Sequence, residues 1–218
     1  MVLKLYGHPL FTCSQRVAVV LLEKQVPFEL VEVDVAKGEH KTPKFLERQP
    51  FGQTPYIDDA GFVLYESRAI CRYIAAKYSG QGTTSLIPAG SIEENALFEQ
   101  AASTEQNNFD PLAGGAISEK IIKPYMGLAT DEAAFEAYLG KLDAKLDGYE
   151  AILSKQKYLA GDNLTLVDLF HLPYVHKLAE AGYKVLEVES RPNVVRWWKD
   201  ISNRPAWLAV QSGIKSTA

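Results

Sequence analysis

The sequence predicts a two-part chain: an α/β N-terminal domain of order β-α-β-α-β-β-α over 1–79, a linker over 80–90 and an all-helical domain over 91–218. Three observations carry this. A strand-helix-strand unit fills the segment up to Asp34. A proline-led strand turns back through a hairpin just before Glu66. Beyond the linker, alternation gives way to apolar residues spaced by three and four.

Leu3-Lys-Leu-Tyr6 alternates and reads as the first strand, which Gly7-His8-Pro9 ends. From Ser14 to Lys24 a continuous apolar stripe marks a helix, with Ser14 or Thr12 near its cap. Pro27 to Asp34 is the second strand, and a strand-helix-strand unit of this kind favours a parallel pair. The stretch Lys37 to Arg48 is polar, interrupted by Gly38 and Pro43, weakly helical at most, and suited to reach a ligand from the surface. Thr54-Pro55 leads into an apolar strand, because a residue without an N–H belongs at a strand's first position, where a cis bond is also accessible. Asp59-Ala60-Gly61 turns the chain, Phe62 to Tyr65 returns, and Glu66-Ser67 opens a helix to about Tyr78.

Glycine and hydroxyl residues concentrate in Ser79 to Ser85, which reads as linker. Ile92 opens a long helix that Pro111 and Gly114-Gly115 should bend or break before it ends near Pro124. Another runs from Thr130 through Leu142 and Leu146 to Leu153. Thr165 and Asp168 form a capping box with Leu164 and Leu169 as staple, and Arg191-Pro192 and Arg204-Pro205 start the last two helices.

The 218 residues are 47% apolar and 23% charged, as in a folded soluble protein. With 27 acidic against 23 basic side chains the net charge is −4, and no dense basic cluster suggests nucleic acid as a partner. No run approaches the ~20 apolar residues that a membrane span needs. The N-terminus lacks the pattern of an export signal, so a cytoplasmic location is expected. Cys13 and Cys71 give no disulfide framework and no zinc-type spacing, so no metal is expected and a reducing compartment fits.

The Glu66-Ser67 junction sets an acid beside a helix N-terminus, whose first amides are unsatisfied and whose dipole is positive. Such a pair suits the ammonium and carboxylate of an amino-acid head group. An ordinary Ser-capped helix after a hairpin explains the same residues.

Five segments, Glu39-His-Lys41, Pro50-Phe-Gly-Gln-Thr-Pro55, Glu66-Ser-Arg-Ala-Ile70, Asn108-Phe-Asp-Pro111 and Tyr158-Leu-Ala-Gly-Asp162 with its capping box, together with the element order, carry a further reading. The whole chain resembles the glutathione transferases, specifically the phi class of plants and fungi, in which a thioredoxin-like domain joins a helical one. The resemblance implies that Glu66 and Ser67 hold the γ-glutamyl head of glutathione. It also implies that the Thr54 backbone before Pro55 pairs with the cysteinyl backbone, and that Gln53, His40 and Lys41 meet the peptide and its glycine carboxylate. Gln53 has the alternative of satisfying turn backbone, His40 and Lys41 that of solvated surface; Asp168 reads as a structural cap.

The departure lies at the nucleophile. Similar proteins place a serine before the first helix to stabilise the glutathione thiolate, and here Phe11 stands at that position. Lowering a thiol pKa from about 8.5 needs a hydroxyl, backbone amides or a positive helix end. Thr12 is the nearest substitute, with simple helix capping as its alternative, and Ser14 is second. Cys13 raises thiol transfer through a mixed disulfide, against the plainer reading of a small buried residue, while Cys71 reads as core. Leu10, Phe11 and Ile117 would form the wall for a hydrophobic second substrate. Phe51 is expected to insert into the partner subunit of a homodimer, or else to pack beneath the hairpin, and Arg68 to add an intersubunit ion pair.

The function implied is conjugation of glutathione, as co-substrate, to hydrophobic electrophiles, with hydroperoxide reduction as a further activity and no metal or prosthetic group. A non-catalytic carrier of glutathione and apolar ligands and a Cys13 thiol transferase are the alternatives.

Overall fold

A computed structural model describes residues 2–218. They form two compact units, one reaching to Ile87 and including Arg204–Ala218, the other Pro88–Asn203.

In the first unit, β1 (Leu3–Gly7), α1 (Thr12–Glu23), β2 (Phe28–Glu32), a 3-10 turn (Glu39–Lys41), α2 (Pro43–Leu46), β3 (Tyr56–Asp59), β4 (Phe62–Tyr65) and α3 (Ser67–Lys77) follow the thioredoxin-like order. The sheet runs β2-β1-β3-β4. β1 and β2 are parallel with Leu5 opposite Leu30, while β3 lies antiparallel to β1 and to β4, with Ile57 opposite Leu5 and Leu64. Leu5, Phe28 and Ile57 from the sheet, Val17, Val20 and Leu21 from α1 and Ile70 and Ile74 from α3 are fully buried. Each such side chain contributes roughly 1.5–3 kcal/mol over its exposed state. Val33, Phe45 and Tyr56 form a smaller core beside Tyr6 and Tyr65.

Two expectations about helix starts are corrected. α1 begins at Thr12, not Ser14, and neither residue caps it: extended Phe11 (φ −83, ψ 133) is the N-cap, without a side-chain bond. α3 has Glu66 as its N-cap, also without a side-chain bond, so Ser67 is the first helical residue and not a cap.

The expected linker also divides differently. Residues 80–87 and 204–218 cluster with the first unit, because the end of α1 binds both. The Thr83 N–H donates to the Glu23 carbonyl at 2.8 Å, and the Gln81 amide to the Lys24 carbonyl at 2.8 Å. Arg204 forks onto the Glu23 carboxylate at 2.6 and 2.7 Å. Lys24 donates to the Thr83 carbonyl at 2.9 Å, and burial lowers its ammonium pKa. Gly82 (φ 58) thus serves close backbone approach, since a Cβ there would meet the backbone of Glu23 and Lys24.

In the second unit, α4 (Ile92–Thr104), a π turn (Glu105–Phe109), α5 (Asp110–Ile117), a second π turn (Ser118–Ile122) and α6 (Lys123–Tyr125) form one unbroken helical path. The expected break at Pro111 does not occur. A proline removes one i to i−4 bond and crowds that carbonyl, and each π turn lies just upstream of one, Pro111 or Pro124, where the widened turn absorbs the clash. α7 (Glu132–Leu153) starts where Asp131 accepts the Ala134 N–H at 3.0 Å. α8 (Leu166–Phe170), α9 (Leu172–Glu180) and α10 (Pro192–Ser202) complete the unit, and α11 (Pro205–Leu208) belongs to the first. The capping box of α8 forms.

Asp168 is fully buried and accepts from the Thr165 N–H (2.9 Å), the Leu159 N–H (3.0 Å) and Trp197 Nε1 (2.9 Å). Burial pushes its carboxyl pKa up, while these donors hold its oxygens. Its role is structural, tying α8, α10 and the Tyr158–Gly161 turn together. Among the described residues no helix is long and apolar enough to cross a membrane, and no group of potential metal ligands occurs.

Asp168→Ala removes the acceptor of four donors, the Thr165 hydroxyl included, and should cost about 3 kcal/mol of unfolding free energy. Urea titration followed by Trp197 fluorescence checks this, and an unchanged midpoint would refute the role.

Candidate active site

Glu66 holds φ 69 and ψ 107, outside the regions open to most side chains, at a cost on the order of 1–3 kcal/mol. This backbone turns β4 sharply into α3. The first α3 bond runs from the Ile70 N–H to the Glu66 carbonyl at 2.9 Å, so the amides of Ser67, Arg68 and Ala69 have no intrahelical acceptor. The Glu66 side chain is exposed beside them. Ser67 is buried, and its Oγ accepts from Arg16 Nη1 at 3.0 Å.

Arg16, fully buried on α1, is a residue that the sequence reading missed. The same Nη1 lies 3.6 Å from Cys13 Sγ, so one guanidinium connects the starts of both helices. Its signal was a cation inside an otherwise apolar helical stripe. The Arg16 carbonyl accepts from Cys71 Sγ at 3.5 Å. Cys71 is core as expected, its thiol pKa pushed up to about 12 by burial.

A second cluster joins the 3-10 turn to the loop before β3. Lys41 Nζ donates to the Phe51 carbonyl at 3.2 Å. Gly52 has φ 58, and a Cβ there would stand 2.8 Å from the His40 carbonyl, so both conformation and space demand glycine. Buried Gln49 accepts the Gln53 N–H at 3.2 Å, which satisfies the turn backbone and leaves the Gln53 side chain exposed. Gln49 was also missed. Burial, then Lys41, lowers the His40 pKa, so the exposed Lys41 carries the positive charge here near neutral pH. The Thr54-Pro55 peptide is cis, and Pro55 is buried beside Gly7.

At the loop before α1, the Phe11 N–H donates to the His8 carbonyl and the Leu10 N–H to His8 Nδ1, both at 3.2 Å. The His8 and Phe11 rings lie 4.3 Å apart. The first α1 bond runs from the Gln15 N–H to the Phe11 carbonyl at 2.9 Å, leaving the amides of Thr12, Cys13 and Ser14 without an intrahelical acceptor. Thr12 is half-buried in the first turn and free of a capping role. Ser14 is fully buried with its Oγ unpartnered beneath Gly7, which removes it as a group that could meet a thiol arriving from solvent. Cys13 is half-buried.

Leu10 is 46% exposed and Phe11 half-buried. Ile117, expected in an open apolar wall, is instead 4% exposed on α5, which packs against α7 and α9 in the second unit. Phe51 is 64% exposed, with Tyr65 as a T-shaped ring neighbour at 6.1 Å. The alternative of packing beneath the hairpin therefore fails. Arg68 is half-buried at the start of α3.

Residues 1–76 match the model of the glutathione S-transferase N-terminal domain, and residues 112–205 that of the C-terminal domain. The chain belongs to the glutathione S-transferase family. It is 47% identical to Arabidopsis thaliana glutathione S-transferase PM239X14, over 89% of each chain. The fold superposes on glutathione transferase F7 from Populus trichocarpa with a TM-score of 0.90, at 42% identity and 97% and 98% coverage. It also superposes on glutathione S-transferase I from mais in complex with an atrazine glutathione conjugate, with a TM-score of 0.89, at 36% identity and 97% coverage of each. These relatives place this glutathione transferase in the phi class. Residues 206–218 lie beyond both family models.

Gly52→Ala should displace the 3-10 turn and cost on the order of 1–3 kcal/mol, since the added methyl meets backbone and the φ is unfavourable. Thermal unfolding combined with hydrogen exchange over residues 38–42 measures both effects. Wild-type stability and exchange would contradict the clash.

Proposed function

We propose that this glutathione transferase conjugates the glutathione thiolate to hydrophobic electrophiles. One observation carries the reading: α1 and α3 both begin without a side-chain cap, and the Arg16 guanidinium joins their first turns. The α3 start, with Glu66 and Ser67, suits the carboxylate and ammonium of the γ-glutamyl head. The cis Thr54-Pro55 backbone takes the cysteinyl part, and Gln53, His40 and Lys41 the peptide and glycine carboxylate. Glutathione so held delivers its sulfur to the open amides and hydroxyl at Thr12. These donors stabilise the thiolate, whose proton leaves to water; the sulfur then attacks the electrophilic carbon against Leu10 and Phe11, and the C–S bond forms as the leaving group departs with its bonding pair or, in an addition, as the π pair shifts away and takes a proton from water. Glutathione supplies the nucleophile, so no metal or prosthetic group is invoked, and a reducing cytoplasm keeps that nucleophile and Cys13 as thiols.

Phe11 at the serine position keeps ligand carriage in view, and the Arg16 contact at Cys13 keeps thiol transfer in view. Assays of conjugation, hydroperoxide reduction and disulfide reduction for wild type, Phe11→Ser, Thr12→Val and Cys13→Ser separate them. Conjugation by wild type is expected, with Thr12→Val raising the bound thiol pKa by about one unit and cutting kcat/KM roughly tenfold. An unshifted thiol titration in Thr12→Val would remove Thr12 from the mechanism. An inactive wild type rescued by Phe11→Ser would mean a carrier, and loss confined to Cys13→Ser would mean thiol transfer.

A homodimer is part of the proposal. Exposed Phe51 needs a covering surface, and the second unit carries a hollow of about 220 Å³ lined by Leu97, Ala101, Thr104, Tyr149, Ile152 and Leu159, able to receive an aromatic ring from a second copy. Arg68 is assigned the accompanying ion pair. Phe51→Ala should weaken the dimer at least about tenfold, or 1.4 kcal/mol or more, in sedimentation at low concentration. An undiminished dimer would count against the insertion.

A further inference from the structure

We propose that the segment Ala209–Ala218 is a positioning element for the loop that carries Leu10, Phe11 and Thr12, and thereby sets how the hydrophobic substrate is held. The inference deepens the conjugation reading and rests on it for its catalytic consequence.

The segment binds the chain on both sides of that loop. Before it, the Ile214 N–H donates to the Pro9 carbonyl at 3.1 Å. After it, the Gln15 amide nitrogen donates to the Val210 carbonyl at 3.0 Å and to the Gln211 carbonyl at 3.1 Å. Over the loop itself, Leu10 Cδ2 lies 3.6 Å from where a Cβ of Gly213 would stand, and Gly213 holds φ 135. Gln15, Val210 and Ile214 are buried, so these bonds form away from water.

The segment is in turn fixed to the sheet. β2 is an edge strand, and such an edge leaves backbone groups open. The Thr217 N–H donates to the Phe28 carbonyl at 2.9 Å, while Thr217 Oγ1 accepts the Phe28 N–H at 3.1 Å and Ser216 Oγ the Leu30 N–H at 2.9 Å. The position of 209–218 is therefore tied to the sheet through β2 and passed on to the loop.

The loop needs this support because its own restraints are few. Among the described residues, hydrogen bonds to Leu10 and Phe11 come from His8 and, at the Phe11 carbonyl, from the Gln15 N–H, while the amides of Thr12, Cys13 and Ser14 have no intrahelical acceptor. The residues proposed to anchor glutathione, Gln53 to Pro55 and Glu66-Ser67, receive none of the segment's hydrogen bonds described above. Loosening the segment should thus disturb the electrophile side and spare the anchor.

Two variants test this in the full-length protein: removal of residues 212–218, and Gln15→Met, which keeps the volume and deletes the two amide bonds. Hydrogen exchange should quicken about tenfold or more over residues 8–16 and stay unchanged over 56–77. The KM for a hydrophobic electrophile should rise about tenfold, with the KM for glutathione within about twofold of wild type. Unchanged exchange over 8–16, equal quickening of both regions, or equal rises in both KM values would overturn the proposal. Should the wild type prove inactive, the conjugation reading fails on its own, while the exchange contrast still decides whether the segment positions the loop.

Discussion

A guanidinium sealed inside the first unit sets the terms for everything around it. Removing one partner of a buried charge typically costs several kcal/mol, so Arg16 fixes what surrounds it as much as it is fixed. Its bonds to Ser67 and Cys13 hold α1 and α3 in one arrangement, with their N-terminal turns close together. The positive dipole ends of two helices are thereby held beside one another. Glu66 stands exposed beside the start of α3 and supplies the carboxylate of the proposed head-group site.

Helix starts differ along the chain. Ser91 caps α4, Asp131 caps α7, Thr42 caps α2 and the Thr165–Asp168 box closes α8. Each such cap is worth about 1 kcal/mol. α1 and α3 forgo theirs, and α3 accepts a strained Glu66 as well. α5, α6, α9, α10 and α11 also start without a side-chain cap bond but carry proline in their first turn, so α1 and α3 are set apart by having neither a cap nor a proline.

Most of the fold was legible because its determinants are local. Alternation in Leu3–Tyr6, the Asp59-Ala60-Gly61 turn and the Thr165–Asp168 box each specify their element within a few residues. The residues proposed to anchor glutathione could be named from sequence because they fall in two contiguous stretches, 50–55 and 66–70. What escaped depends on distance or on competition. Glycines at 80 and 82 suggested freedom, yet their neighbours bond to the end of α1 far upstream. Pro111 suggested a break, yet a π turn absorbs it. Ser14 looked like a cap, but with Val17, Ala18 and Leu21 it shares the inward face of α1, a spacing that could have been read. The Arg16 and Gln49 roles required knowing which side chains lie across from them.

The Glu23–Arg204 clasp has a consequence for how the molecule comes into being. The first unit is closed by residues that the ribosome adds only after the entire helical unit has been made. At synthesis rates of about 5–20 residues per second, the nascent sheet waits on the order of ten seconds with its β2 edge uncovered. During that interval the helical unit emerges and can fold first, although it comes second in the chain. Vectorial synthesis therefore does not translate into vectorial folding, and the exposed strand edge makes that waiting period the time when a nascent-chain chaperone matters most.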